Sequence, residues 1–274
     1  MTIGDEARTR RRAAPLLVRR TQIDASGTHA GDFAALAVAP RFMPAAVGRT
    51  LGHLCVDTTE PVFGLTYDDG PHPTHTPEIL DVLASHGAQA TFFVLTRQAL
   101  AHPEIVRRAA TEGHEIALHG RDHRDLLTMS AASAWRELHR ARAELTEITG
   151  VRPRLYRPPY LRFTAAQALV FRALGLQLGL CSGDSRDWVH DDERAIADRA
   201  LAAVFPGAIL LMHDMRGDAE TASEDEELPH FDRAQVADLL LRGAAERGLA
   251  ALSVGELLDR HRSVSARTYQ KRAR

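Results

Sequence analysis

Two pairs of polar residues stand where apolar runs of the sequence end, and together they could hold a metal ion. Asp68 and Asp69 follow the run at residues 64–67, and His119 and His123 follow another run about fifty residues later. One aspartate and two histidines supply three ligands for a divalent cation and leave positions open for water and a substrate carbonyl, as catalytic metal sites require. The other aspartate is then available to accept a proton.

The composition limits the classes of function open to this chain. Its 274 residues are 45% hydrophobic, which is enough for one large core. A formal net charge of -2 and an aromatic content of 5% predict no nucleic-acid partner, and nothing indicates an oligomeric state. No stretch resembles a signal peptide or has the length of a transmembrane segment, and the two cysteines are far apart. These features predict a cytoplasmic protein.

Three segments are predicted along the chain. Residues 1–60 lack a clear period and are expected to form an N-terminal extension, partly irregular, with one short helix around residues 45–54. Residues 61–260 are expected to form the catalytic domain. Residues 261–274 are expected to be a basic C-terminal tail, because clustered arginines at chain ends are typical of solvated tails.

Seven buried strands alternate with helices in the central segment, which indicates a parallel α/β sheet. The strands are predicted at residues 62–66, 90–95, 114–118, 154–157, 176–181, 208–212 and 249–252. The polar residues that follow these strands are Asp68, Asp69, His119, His123, Arg157, Asp184, Asp187 and His213. In a barrel all these strand ends face one rim, whereas an open sheet would leave some of them too far apart to share a cleft.

Five strings in the central segment occur in a fixed order. They are Thr66-Tyr67-Asp68-Asp69-Gly70-Pro71, His119-Gly120-Arg121-Asp122-His123, Arg157-Pro158-Pro159-Tyr160, Asp184-Ser185-Arg186-Asp187-Trp188 and Leu211-Met212-His213. Together they resemble the five motifs of the polysaccharide deacetylases, carbohydrate esterase family 4 with the NodB homology domain. The resemblance covers about residues 61–260 and implies a distorted (β/α)7 barrel. It also implies a metal-dependent hydrolase that removes acetyl groups, mostly from N-acetylated amino sugars.

The resemblance assigns the metal and the base. Asp69, His119 and His123 would hold one divalent ion, with zinc expected first and cobalt or nickel also suited to two histidines and one carboxylate. Asp68 would act as the general base, and Arg157 would keep it oriented and ionised.

The resemblance also assigns the acid and the contacts to substrate. His213 would protonate the departing amine, with Asp187 as its carboxylate partner and Trp188 packed beside it. The backbone N–H of Tyr160 would help to hold the oxyanion. The residues expected to bind substrate are Pro158, Tyr160, Trp188 and Leu211.

Three positions depart from the pattern of the family. Gly120 stands where many members have Ser or Thr, Arg124 where many have Pro, and Leu161 where Gly is common. The departures leave the metal preference and the shape of the substrate open. His72 and His75, on the loop after Asp69, could touch substrate, and an acidic run at residues 224–227 could shape the cleft.

Three hypotheses follow, in this order. The first is a metal-dependent hydrolase that removes N-acetyl groups from an amino-sugar-containing saccharide, which in the cytoplasm would be a small acetylated saccharide. The second is a cytosolic metal-dependent amidase or cyclic-imide hydrolase acting on another acylated metabolite. The third is a non-catalytic binding protein, which would predict a broken metal triad or a missing acid. Each motif alone is more often structural, but five at successive strand ends favour an enzyme.

Overall fold

The computed structural model describes residues 52–189, 191–216 and 229–266. The strands in these ranges are β1 Gly52–Asp57, β2 Val62–Asp68, β3 Thr91–Leu95, β4 Glu115–Gly120, β5 Leu155–Tyr156, β6 Gln177–Leu178, β7 Gly183–Asp184, β8 Ile209–His213, β9 Ala250–Leu252 and β10 Arg262–Ala266. The helices are α1 His75–His86, α2 Thr96–Ala101, α3 Pro103–Thr111, α4 Ala131–Thr149, α5 Ala165–Ala173, α6 Glu193–Ala203, α7 Arg233–Glu246 and α8 Val254–Arg260. Short 3-10 turns occur at Leu126–Thr128 and Pro159–Leu161. Within the described ranges, no helix combines the length and apolar content needed to cross a membrane.

Eight of these strands form one curled sheet in which every pairing is parallel. Their order is β6-β5-β4-β3-β2-β8-β7, and β9 pairs with the first half of β2. The chain passes from β6 at one edge to β7 at the other through residues 179–182. The predicted α/β fold with a distorted barrel is therefore confirmed, as a half-barrel whose open side is crossed by four residues of the chain itself.

The single strand predicted over residues 176–181 is wrong. The structure has two short strands, β6 and β7, at opposite edges of the sheet. Between them Gly179 lies against the ring of Phe93, where a Cβ would come within 2.8 Å, and the Leu180 N–H donates to the His53 carbonyl of β1 over 2.8 Å. The apolar run reflects burial of this crossing segment, which a local sequence period cannot distinguish from a strand.

Alternate residues of the strands face the helices and the inside of the sheet. Leu65 and Tyr67 of β2 belong to the large core under the helices, whereas Thr66 and Asp68, which alternate with them along the strand, bond to Arg157 on the inner face. An apolar cluster on the inner face is formed by Phe93, Ala117, Leu155, Cys181, Ile209, Leu211 and Val254. The polar site lies at the carboxyl ends of the strands that supply this cluster.

The register of the sheet brings three predicted site residues to one rim. β2 pairs with β8 so that Asp68 lies opposite His213. On its other side β2 pairs with β3, and β3 pairs in turn with β4. His119 is the second-last residue of β4. Asp68 therefore lies between a strand that supplies a histidine ligand and a strand that supplies the candidate acid.

β1 and β10 pair as an antiparallel ribbon. β1 lies within the predicted N-terminal extension, and β10 lies within the predicted C-terminal tail. The short helix predicted over residues 45–54 is wrong at residues 52–54, which begin β1, and its remainder lies outside the described residues. The predicted domain boundaries at residues 60 and 261 stay predictions. Leu54, Cys55 and Val56 are all buried, so β1 lacks the alternation of a typical strand, and its partner lies about 200 residues away in sequence.

Replacing Gly207 by alanine tests how closely β1 is bound to the sheet. Gly207 has a φ of +87°, its carbonyl accepts the Val56 N–H, and a Cβ there would overlap the Val56 carbonyl oxygen. We expect Gly207→Ala to lower the free energy of unfolding by about 2–5 kcal/mol, from a left-handed penalty of about 1–2 and an overpacking cost of about 1–3. The control is Gly248→Ala, because Gly248 also has a positive φ of +72° but no atom within 4 Å of a Cβ. Guanidinium unfolding of both variants makes the comparison, and equal losses would contradict the contact.

Candidate active site

Asp68 and Arg157 form a buried ion pair at the carboxyl end of the sheet. Arg157 is fully buried, and its Nη1 donates to Asp68 Oδ1 over 2.7 Å and to Thr66 Oγ1 over 2.8 Å. Its Nε and Nη2 donate to the carbonyls of Gly179 and Leu180, both over 3.0 Å. A guanidinium bonded on all sides has one position, so it fixes the orientation of the Asp68 carboxylate.

Asp69 and two histidines bring three ligand atoms together beside this pair. Asp69 Oδ1 lies 3.1 Å from His119 Nε2 and 3.3 Å from His123 Nε2, and no other such group of metal-ligating side chains occurs in the described part of the chain. Burial would raise the pKa of the Asp69 carboxyl, but the hydrogen bond to His119 and the charges of His119, His123 and His213 hold that pKa below its usual range. The carboxyl is therefore ionised, as a metal ligand must be.

The separations of these atoms fit a single divalent ion. Three ligands about 2.0–2.1 Å from zinc at tetrahedral angles lie roughly 3.3–3.4 Å apart. The distances of 3.1 and 3.3 Å from Asp69 Oδ1 to the two histidine nitrogens are close to this value. The second carboxylate also adjoins the group, because Asp68 Oδ2 lies 3.9 Å from His119 Nδ1. The ligand set predicted from the sequence is thus brought together by the fold.

The backbone at Gly120 allows both histidines to reach the same oxygen. Gly120 ends β4 with a φ of +135°, and a Cβ there would lie 3.1 Å from the Asp122 carbonyl oxygen. The chain then bends over residues 121–123, which carries His123 back toward His119. Arg124 braces the bend by donating to both carboxylate oxygens of Asp122, over 3.1 and 2.5 Å. Glycine at this departure from the family pattern therefore has a conformational reason.

His213 and Asp187 form a second polar pair on the other side of Asp68. Asp187 Oδ1 lies 2.6 Å from His213 Nδ1, and Oδ2 accepts the His213 backbone N–H over 2.8 Å. Burial would lower the pKa of His213, but the charge and hydrogen bond of Asp187, with the charges of Asp69 and Asp68, raise it to about 10. The imidazole is therefore protonated near neutral pH, with Nδ1 bound to Asp187 and Nε2 the other nitrogen that can donate.

Exposed apolar side chains adjoin both polar groups. Tyr160 is 47% exposed and Trp188 is 38% exposed. The Tyr160 ring meets the His123 ring edge to face at 4.4 Å, and the Trp188 ring meets the His213 ring edge to face at 5.5 Å. One aromatic ring thus stands beside the metal ligands and the other beside the candidate acid, as is typical of a site that binds a ligand with both polar and apolar surface.

The turn Pro159–Leu161 holds Tyr160 at this rim. Tyr160 and Leu161 have φ values of 56° and 53°, in the left-handed region. That conformation costs a leucine about 1–2 kcal/mol, and the Leu161 side chain offsets part of it by packing against the inner apolar cluster. The Leu161 N–H donates to the carbonyl of buried Pro158 over 2.9 Å. Leu211, the other apolar residue predicted to bind substrate, is buried in the inner cluster. The substrate contacts assigned to Pro158, Tyr160, Trp188 and Leu211, and the oxyanion contact of the Tyr160 N–H, stay predictions.

Two further regions were expected to shape the cleft. The ring of His72, in the loop before α1, stacks at 4.1 Å on that of His75, the first residue of α1, and their contact with substrate stays a prediction. The acidic run at residues 224–227 lies outside the described residues.

Arg233 is a site residue that no motif indicated. Its Nη1 donates to the His213 carbonyl over 2.8 Å and lies 3.6 Å from Asp187 Oδ2, and its guanidinium carbon stands 4.4 Å above the Phe231 ring. It therefore supports both members of the acid pair. Arg233 begins helix α7, beyond residues 217–228, so nothing in the local sequence ties it to the strand ends.

Asp214 is a second residue that the sequence interpretation missed. It is buried, and its carboxylate accepts the Gly70 N–H over 2.9 Å and the Thr76 hydroxyl over 2.6 Å. A signal was present, because a carboxylate that directly follows His213 at the end of a buried run repeats the pattern of Asp68 and Asp69.

Known proteins are similar to this chain in sequence and in fold. A family model described as polysaccharide deacetylase matches residues 56–179. The chain is 40% identical over 170 residues to a chitooligosaccharide deacetylase of Bradyrhizobium sp. (strain ANU 289). The aligned region covers 62% of this chain and 76% of that protein. The chain is 35% identical over 151 residues to the peptidoglycan-N-acetylglucosamine deacetylase PgdA of Listeria monocytogenes, covering 55% of this chain and 32% of that protein. The structure of the peptidoglycan deacetylase PdaC from Bacillus subtilis matches with a TM-score of 0.64 and 28% identity, over 74% of this chain and 93% of that one.

The matched range carries both aspartates, both histidines of the ligand set and Arg157, and it ends before Asp187 and His213. The fold match extends over the larger part of both chains. The resemblance drawn from the five motifs is confirmed. This chain belongs to the polysaccharide deacetylase family.

Proposed function

We propose that this protein is a metal-dependent hydrolase that removes the N-acetyl group from an amino-sugar-containing saccharide. The observation that carries the proposal is the separation of two adjacent carboxylates: Asp69 faces His119 and His123, whereas Asp68 is bound by Arg157. One carboxylate can hold a metal ion while its neighbour accepts a proton. The alternative of a cytosolic amidase or cyclic-imide hydrolase has less support, because the relatives are named for acetylated saccharides.

Amide hydrolysis needs a nucleophilic water, a polarised carbonyl, stabilisation of the oxyanion and a proton for the leaving nitrogen. A divalent ion held by Asp69, His119 and His123 would polarise the acetamide carbonyl and acidify the attacking water, and zinc, then cobalt or nickel, suits these ligands. Asp68 accepts the proton of the attacking water at Oδ2, because Arg157 holds Oδ1.

The leaving nitrogen takes its proton from His213. Asp187 holds the Nδ1 side of the ring, so the proton transferred is the one on Nε2. Since Asp68 and His213 are direct neighbours in the register of β2 and β8, the base and the acid flank one position at the rim. The Tyr160 backbone N–H is assigned to the oxyanion, as the family resemblance implies.

The substrate class that we propose is a short oligomer containing N-acetylglucosamine. Support comes from the chitooligosaccharide deacetylase of Bradyrhizobium, 76% of which this chain covers, and from the exposed rings of Tyr160 and Trp188 beside the polar groups. A small soluble saccharide also agrees with the cytoplasmic location, which stays a prediction.

Acetate release tests the proposal directly. Zinc-loaded protein is assayed on N-acetylglucosamine, chitin oligomers and non-sugar N-acyl compounds and cyclic imides, each with and without a chelator. We expect chelator-sensitive acetate release from the oligomers and none from the non-sugar compounds. If no sugar releases acetate and a non-sugar amide or imide is cleaved, the alternative is favoured. Release that a chelator does not affect would contradict metal dependence.

Two substitutions separate the base from the metal ligands. Asp68→Asn removes the proton acceptor but leaves the ligand set, so we expect zinc to remain bound while turnover falls by about 10²–10⁴-fold. His119→Ala should lose zinc and activity together. Zinc content and acetate release are measured on the same preparations. Normal turnover of the first variant would remove Asp68 as the base, and full zinc affinity of the second would disprove the ligand assignment.

The pH dependence of turnover tests the acid. A general acid works while it is protonated, so activity is present below the pKa of His213 and is lost above it. That pKa is raised to about 10 chiefly by Asp187, so Asp187→Asn should move the alkaline limb of kcat/KM to lower pH by more than about one unit. A bound divalent cation would repel the imidazolium and lower its pKa. In the metal-loaded enzyme the alkaline limbs of the wild type and of the Asp187 variant should therefore both lie at lower pH. The control is Asp192→Asn, at the N-cap of α6, which should leave the limb in place. An unmoved limb in the Asp187 variant would argue against the pair.

A further inference from the structure

The carboxylate of Asp214 has no part in the reaction proposed above, yet it is buried and bonded beside the metal ligands. Its Oδ1 accepts the Gly70 N–H over 2.9 Å, and its Oδ2 accepts the Thr76 hydroxyl over 2.6 Å. Its backbone N–H donates to the Asp68 carbonyl over 3.3 Å. Asp214 thus contacts Asp68 at the end of β2, Gly70 in the loop that follows, and Thr76 in the first turn of α1.

This loop presents Asp69 in a backbone conformation that needs support. Asp69 has a φ of +80°, in the left-handed region that few side-chain-bearing residues adopt. On the β3 side the loop is held by backbone bonds, because the Asp69 N–H donates to the Phe93 carbonyl over 3.1 Å and the Gly70 carbonyl accepts the Leu95 N–H over 3.0 Å. On the β8 side the carboxylate of Asp214 provides the corresponding restraint.

The Asp214 carboxylate lies directly against the backbone of the loop at Gly70. A Cβ at Gly70 would overlap the carboxylate, so the contact requires glycine at that position. The Gly70 N–H and the Thr76 hydroxyl bond to the two oxygens of the same buried carboxyl group, so the loop is held against the end of β8 at two points. The bond from Gly70 therefore fixes the peptide that directly follows the Asp69 side chain.

We propose that Asp214 is a positioning residue that sets the affinity of the metal site by fixing the turn at Asp69 and Gly70. The inference rests on the proposed function, because it requires Asp69 to be a metal ligand. Residues that orient metal ligands change metal affinity by about 10- to 100-fold when they are lost. Because Asp214 directly follows His213, the end of β8 orients both the acid and the loop that carries the ligand.

The chain contains a matched control at the opposite end of the sheet. Glu115, at the start of β4, accepts the Thr91 hydroxyl and the Gly255 N–H with the same oxygen, both over 2.8 Å. A Cβ at Gly255 would lie 2.5 Å from the other oxygen of Glu115. Glu115 therefore makes the same kinds of bonds as Asp214, to a threonine and a glycine, without touching the loop of Asp69.

The experiment compares Asp214→Asn with Glu115→Gln. Zinc affinity is measured by competition with a chromophoric chelator, and stability by guanidinium unfolding of the metal-free proteins. We expect Asp214→Asn to weaken zinc binding by about 10- to 100-fold, and Glu115→Gln to leave it unchanged at a comparable loss of stability. At saturating zinc most of the turnover of Asp214→Asn should return, because its base and acid are intact. A residue that merely stabilised the fold would not produce this pattern.

A second pair of variants keeps the test open if Asp214→Asn does not fold. Thr76→Val removes the hydroxyl that donates to Asp214, and Thr76→Ser keeps it. We expect the valine variant to bind zinc more weakly and the serine variant to regain the affinity of the wild type.

The outcomes distinguish this inference from the proposed function. If wild-type protein binds zinc and both Asp214→Asn and Thr76→Val bind it equally well, the inference is overturned and the proposed function stands. If wild-type protein binds no divalent metal and releases no acetate, the proposed function fails and the inference fails with it.

Discussion

The rest of the structure depends on the hydrogen bonds that the buried guanidinium of Arg157 donates. The guanidinium lies inside the half-barrel, 4.1 Å above the Phe93 ring, and donates to Asp68 and to the carbonyls of Gly179 and Leu180. Removing one partner from a buried pair costs about 3–5 kcal/mol, because a charge is left without compensation. The two carbonyls belong to the segment that crosses from one edge of the sheet to the other. The side chain that orients the candidate base therefore also holds the crossing that completes the barrel.

The fold gives two consecutive carboxylates different surroundings by ending the strand between them. If β2 continued, the alternation of its side chains would place Asp69 on the helix side, opposite to Asp68. The left-handed conformation of Asp69, with φ at +80°, breaks the alternation and turns its carboxylate to the histidines. Asp68 keeps its inward direction and its bond to Arg157. Proton transfer and metal binding can therefore be assigned to adjacent residues without direct competition for the same partner.

Much of the fold could be predicted because the signals are local. Ser130 and Gly150 mark the two ends of α4, since the serine side chain accepts the Ser133 N–H and the glycine takes a left-handed conformation. The polar residues that follow apolar runs do converge at one rim, as the barrel prediction requires. What the sequence could not give depends on distant contacts. β1 and β10 pair across most of the chain, and the division of residues 176–181 between crossing and strand follows from contacts with Phe93 and β1.

The same distinction holds within the candidate site. Metal ligands and acid pairs use residue types and spacings that can be found in a sequence, but the groups that orient them need only a suitable position in space. Arg233 reaches the acid pair from the start of α7, and no spacing rule connects it to His213. The spacing of His119 and His123 indicated a metal site, yet it is the conformation of Gly120 that brings both rings to one oxygen. Motifs therefore reveal reacting groups more readily than the residues that hold them in place.

The rim is built from two paired strands that end in the same way. β2 ends at Asp68 and is followed by Asp69, and β8 ends at His213 and is followed by Asp214. Because Asp68 and His213 are partners in the register, the next residue of each strand lies where the sheet gives way to loops. The first polar residue of each pair faces inward. The second residues differ, because Asp69 turns its carboxylate to His119 and His123, whereas Asp214 bonds to the loop that begins with Asp69. Two consecutive polar residues after a buried strand can thus take different tasks: the first pair offers a proton acceptor and a metal ligand, and the second offers a proton donor and a support for the loop of that ligand.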